Sequence, residues 1–90
     1  MRSKMSKILL NFIENEWGFD EVYDTGFFVE KYKDEYDDFK EHRNVRYTLN
    51  KLVEEGFICK VKDDYNVYYI STCWYNLFSD EFNRGKKIIN

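Results

Sequence analysis

The side chains able to do covalent or metal chemistry are few and poorly spaced for it. His42 is the only histidine of the 90 residues, and one imidazole with no cysteine near it cannot assemble a zinc site within a single chain. Asp37 and Asp38 are adjacent carboxylates of the kind that serve as general acid and base. No Gly-rich phosphate loop, nucleophile signature or metal-ligand spacing accompanies them. The expectation is therefore a protein that is not an enzyme and needs no cofactor.

What has to position any functional side chain is a single small core. Ninety residues make one domain, without room for a second lobe. Two Trp, eight Tyr and eight Phe, with neither Ala nor Pro, mean a core built from rings. A mean hydropathy of -0.72 and 34% charged residues, with no apolar run near the roughly 18 residues a bilayer requires, leave no expected membrane span. Basic residues precede an apolar patch at the N-terminus, but Asn11 and Glu14 interrupt it and no small-residue cleavage site follows. The expectation is a cytoplasmic chain whose two cysteines are free thiols. Abundant Asn, Lys, Asp, Tyr, Phe and Ile fit A+T-rich coding, as in many viruses and mobile elements.

Charge is segregated. Residues 1 to 7 carry Arg2, Lys4 and Lys7, while residues 14 to 38 carry ten acids against Lys31 and Lys33. Residues 40 to 62 are basic through Lys40, Arg43, Arg46, Lys51, Lys60 and Lys62, and Arg84, Lys86 and Lys87 make a basic tail. Blocks of this kind predict one basic and one acidic face, so a net charge of -3 does not exclude a polyanionic partner.

Met5, Ile8, Leu9, Phe12, Ile13 and Trp17 recur at helical spacing and predict a first helix ending near Gly18. After a loop, with a short strand at Glu21 to Tyr23, Thr25 is the expected cap of a second helix. Its inner face would be Phe28, Val29, Tyr32 and Tyr36. Asp37 and Asp38 form a turn into a third helix with Val45, Leu49, Leu52 and Val53 inward, stopped by Gly56. From Phe57 the period changes to two, and the chain folds back at Asp63 to Asn66 as a hairpin. Placing Lys62 opposite Val67 puts Phe57, Cys59, Val61, Tyr68 and Ile70 on one apolar, inner face. Ile58, Lys60, Lys62, Val67 and Tyr69 would then point outward. In this register Cys73 is level with Gly56, roughly 10 Å along the strand from Cys59, beyond the reach of a disulfide. Trp74, Leu77, Phe78 and Phe82 predict a last helix at about 73 to 83, followed by a frayed basic tail at 84 to 90.

Three helices and a hairpin, with the segment VRYTLNKLVEEGFICKVKDDYNVYYIS, resemble a winged helix-turn-helix domain, a mainly α fold with a small β-hairpin (α+β). The resemblance rests on Leu49, Leu52, Glu54, Glu55, Gly56, Phe57 and Ile58 at the junction ending the third helix, and on Tyr69 to Ser71 in the returning strand. It implies a core over residues 5 to 72 and a small prokaryotic or viral transcriptional regulator that binds double-stranded DNA. The third helix would enter the major groove, with the hairpin at the flanking backbone.

Arg pairs bidentately with guanine and Asn with adenine, so the resemblance assigns base readout to Arg43, Asn44 and Arg46. His42 and Asn50 would share the exposed half of that helix. Tyr47, Lys51, Lys60 and Lys62 are assigned to phosphates, with Tyr65 and Asn66 at the wing tip. Two features run against the family's habit: acids at the wing tip, Asp63 and Asp64, and a second helix rich in Glu30, Asp34 and Glu35. Regulators of this type commonly dimerise through a helix after the wing, so Trp74, Leu77, Phe78 and Phe82 are the expected homodimer interface. The alternative is a winged-helix module or inhibitor that binds a host protein through its acidic or aromatic surface.

Overall fold

The computed structural model describes residues 2–18, 21–63 and 65–72, and the backbone of 87–88. The first helix, α1, is Lys4–Asn15, capped by Ser3, whose side chain accepts the Ser6 N–H at 3.1 Å. Met5, Leu9 and Phe12 lie one above another and are buried, as residues four and three apart on a helix must be when one stripe faces the core. The chain leaves α1 with both the Glu16 and Trp17 N–H groups on the Phe12 carbonyl. Trp17 then folds back edge-on to the Phe12 ring at 5.6 Å, and its indole N–H donates to the Glu21 carbonyl at 2.9 Å.

The second helix, α2, is Thr25–Tyr32, and its cap is Asp24 rather than Thr25: the Asp24 carboxylate accepts the Phe27 N–H at 2.8 Å. A carboxylate caps as well as a hydroxyl does, and the shift of one residue makes Thr25 the first residue of the helix. Phe28 and Val29 are buried, with Tyr32 and Tyr36 half-buried beside Phe39. Asp37 and Asp38 open a short 3-10 turn, Asp37–Lys40, which buries Phe39 fully and leads into α3, His42–Glu54. The inner face of α3 is Val45, Leu49 and Leu52, as the periodicity predicts.

Gly56 ends α3 with φ of +87°. Its N–H reaches the Val53 carbonyl and the Phe57 N–H reaches the Leu52 carbonyl, both at 3.0 Å, the paired bonds of a Schellman cap. Strands β1, Ile58–Lys62, and β2, Val67–Ser71, follow as an antiparallel hairpin in the expected register, with Cys59 opposite Ile70 and Lys62 opposite Val67. Three helices followed by a two-stranded hairpin are compatible with a winged-helix layout.

The faces of the hairpin differ from expectation. Ile58 and Tyr69, expected outward, pack into the main core with Leu9, Phe28 and Leu52, each at most 1% exposed. Cys59, Val61 and Ile70 are buried too, in a second cluster on the opposite side that includes Val22. Phe57, expected inward, is exposed and lies beneath the Arg2 guanidinium at 5.2 Å. Alternation tells which residues share a face, but the turn at Gly56 decides which face meets the helices. Apolar residues at both parities are the mark of a strand covered on both sides.

Two edge features complete the sheet. The expected strand at Glu21 to Tyr23 is a single bridge, in which Tyr23 and Tyr69 exchange both backbone bonds at 3.0 and 2.8 Å. In the basic tail, β3, Lys87–Ile88, pairs with β1 opposite Lys62 and Val61, giving the order β2-β1-β3. A tail expected to fray thus has two residues in the sheet, where an edge of unpaired backbone groups attracts any extended segment. The expected helix at about 73 to 83, with Trp74, Leu77, Phe78, Phe82 and Cys73, lies outside the described residues. Among the described residues no helix is long and apolar enough to cross a membrane.

Candidate nucleic-acid interface

The outer face of α3 follows from its inner one. With Val45, Leu49 and Leu52 inward, a 3.6-residue period turns Arg43, Tyr47, Asn50 and Glu54 to the opposite side, with Arg46 on one flank and Asn44 and Lys51 on the other. Arg43, Asn44, Arg46, Tyr47 and Lys51 are all exposed, Tyr47 at 62%, and Asn50 is half-buried. No side chain caps the start of α3, so the positive end of its dipole faces outward beside Arg43. His42 is exposed there as well.

Four acids of the surrounding elements are held in ion pairs, while Glu41 and Glu54 stand exposed at this face. Lys31 pairs with Glu16 at 3.4 Å, Lys33 with Glu30 at 2.6 Å, Lys40 with Asp37 at 3.1 Å and Arg2 with Glu55 at 2.8 Å. Hydrogen bonding by Arg2 holds the Glu55 carboxyl below its usual range. Among the described residues neither Arg43 nor Arg46 has a carboxylate partner. Lys51 sits over the Tyr47 ring at 5.5 Å, a cation and an aromatic face held together at the solvent edge.

The flanks are anchored differently. On one side Thr48 donates toward the Asn44 carbonyl at 3.0 Å and toward the Met5 sulfur at 3.2 Å, fixing α3 against α1. An open cleft of about 370 Å³ lies there, lined by Arg2, Ser3, Thr48, Lys51, Glu54 and Glu55 among others. Two cations against two carboxylates leave the cleft without a single-sign field. On the other side Tyr69, from β2, donates to Asn50 Oδ1 at 3.0 Å. Burial raises the Tyr69 pKa, opposed by a hydrogen bond from the Thr25 side chain and by the charge of Arg46.

In the hairpin Lys62 is exposed and Lys60 half-buried, opposite Tyr69 on the helix-facing side. Lys60 therefore does not stand on a free outer surface as the sequence reading has it. The acidic tip also has a local task. Asp63 Oδ1 accepts the Tyr65 N–H at 3.2 Å and the Asn66 N–H at 2.9 Å, so the carboxylate organises the turn and leaves Tyr65 projecting at 93% exposure.

Sequence reasoning missed Tyr69 as a support of α3, a polar group that only the tertiary fold brings to Asn50. The Asp63 turn was legible, since an acid at the first turn position commonly accepts from the N–H groups two and three residues on. No family model matches the chain, and neither a curated protein nor a solved structure matches it.

Proposed function

We propose that the protein is a winged-helix module that binds double-stranded DNA, with α3 in the major groove, and that it serves as a transcriptional regulator. The observation that carries this reading is the open outer face of α3, where among the described residues Arg43 and Arg46 have no carboxylate partner and Asn44 and Tyr47 stand beside them. A helix with side chains fills a major groove about 12 Å wide. Arg43, Asn44 and Arg46 read base edges, while Tyr47, Lys51 and Lys62 meet phosphates and fix the register.

Few cations serve the backbone, so one copy binds weakly and loses affinity steeply with salt. Two copies joined through Trp74, Leu77, Phe78 and Phe82 read half-sites about 34 Å apart, one turn of DNA. The test is electrophoretic mobility of a promoter library at low salt with wild type, Arg43→Ala and Arg46→Ala. Each variant is expected to weaken the shift. Unchanged binding by both rejects these residues, and absence of any shift moves the account to a protein partner on the acidic or aromatic surface.

A further inference from the structure

We infer that Tyr69 locks the Asn50 amide so that Asn50 offers DNA only its N–H donors, favouring the paired acceptors of guanine (N7 and O6) or a phosphate oxygen over the two-bond pairing with adenine. The inference rests on the DNA reading above and assigns one residue of that face a stated polarity. Asn50 lies one helical turn beyond Arg46 and Tyr47, on the flank of α3 that meets the hairpin.

The lock has three parts. Tyr69 is 1% exposed, and its backbone is held on one side by β1 and on the other by both bonds to Tyr23, so its ring is fixed in place. The Tyr69 hydroxyl donates its single proton to Asn50 Oδ1 at 3.0 Å. The Asn50 carbonyl is thereby turned to the hairpin. Its Nδ2 has no acceptor among the described residues and is not enclosed, so the two amide protons are what Asn50 presents to solvent.

Asparagine recognises adenine by accepting from N6 while donating to N7. Asn50 would have to take Oδ1 away from Tyr69 to do so, stranding a buried hydroxyl, which costs more than one new bond returns. Without that rearrangement the amide can make one bond to adenine N7, with the N6–H donor left facing it, but can reach both N7 and O6 of guanine.

The test selects sites from a randomised duplex library with wild type, Asn50→Ala and Tyr69→Phe, after thermal melts confirm each variant folds. For a base acceptor, wild type prefers guanine at one position, where N7 and O6 both accept, over adenine, where only N7 does. Asn50→Ala flattens that position and weakens the selected duplex about fivefold, the worth of one neutral hydrogen bond. Tyr69→Phe, with Oδ1 released, admits adenine there. For a phosphate acceptor, Asn50→Ala weakens all duplexes by the same factor and leaves the selected sequence unchanged. Asn50→Asp keeps the acceptor for Tyr69 and therefore the fold, and is expected to bind more weakly than Asn50→Ala.

Selection of adenine over guanine by wild type at the position Asn50→Ala flattens overturns the inference. So does wild-type behaviour of Asn50→Ala while Arg43→Ala or Arg46→Ala weakens binding, a result that leaves the DNA reading standing. Absence of duplex binding by folded wild type removes both.

Discussion

Replacing Gly56 by Ala isolates the turn that joins α3 to the hairpin. An added Cβ meets no atom of the described residues within 4 Å, so the expected cost is conformational. Holding a non-glycine residue at φ of +87° costs about 1–2 kcal/mol, and the lower entropy of the unfolded Ala chain offsets part of it, leaving a net loss of up to about 1 kcal/mol. With an unfolding entropy of roughly 2.1 cal/mol/K per residue, that loss lowers the Tm of a 90-residue domain by up to about 5 °C. The assay is thermal and urea unfolding followed by circular dichroism, with an unchanged urea slope. Gly56→Asn, which tolerates this region better, should lose less than Gly56→Ala. A Tm for Gly56→Ala equal to wild type would refute the assignment of the turn. A loss of about 3 kcal/mol or more would mean that space, not backbone strain, decides the position.

Three further outcomes follow from the same geometry. Phe39 is fully buried with its ring 4.9 Å from Tyr32; Phe39→Ala should cost about 3–5 kcal/mol, enough to remove cooperative unfolding at 37 °C, whereas Phe39→Leu retains a transition. Asp63→Ala should raise amide exchange at Tyr65 and Asn66, whose N–H groups it caps, while Asp63→Asn keeps the cap. A marked gain of DNA affinity in Asp63→Asn would show instead that the carboxylate faces phosphate. Burial, with Glu16 nearby, pushes the Tyr32 pKa up to about 12. The unfolded chain then loses this proton first, near pH 10, so stability is full below that pH and falls as pH rises toward 12. Tyr32→Phe should flatten that fall in urea midpoints measured from pH 9 to 12.

Local signals carried most of the fold. The stripe Met5, Leu9, Phe12 and the face Val45, Leu49, Leu52 are read directly from a 3.6-residue period, and the hairpin register came from alternation and a turn. The side of the sheet that meets the helices was not legible, because apolar residues occur at both parities and the twist at Gly56 chooses between them. The cap at Asp24 instead of Thr25 turned on two adjacent residues that both suit the role. In the site, exposure of Arg43, Asn44, Arg46 and Tyr47 follows from the inner face of α3. The contacts of Asn50 with Tyr69, 19 residues away in sequence, and of Lys60 with the helix side do not. They depend on how the hairpin folds over α3, which no local pattern encodes.

The central claim, that the outer face of α3 receives duplex DNA, is tested most directly by mapping amide and side-chain shifts of the isotope-labelled protein on titration with DNA at low salt. The account predicts changes centred on Arg43, Asn44, Arg46, Tyr47 and Asn50, with weaker ones at Lys62 and Tyr65, all reversed by added salt. Changes confined to residues 14 to 38, or a silent α3 at saturating DNA, would contradict it.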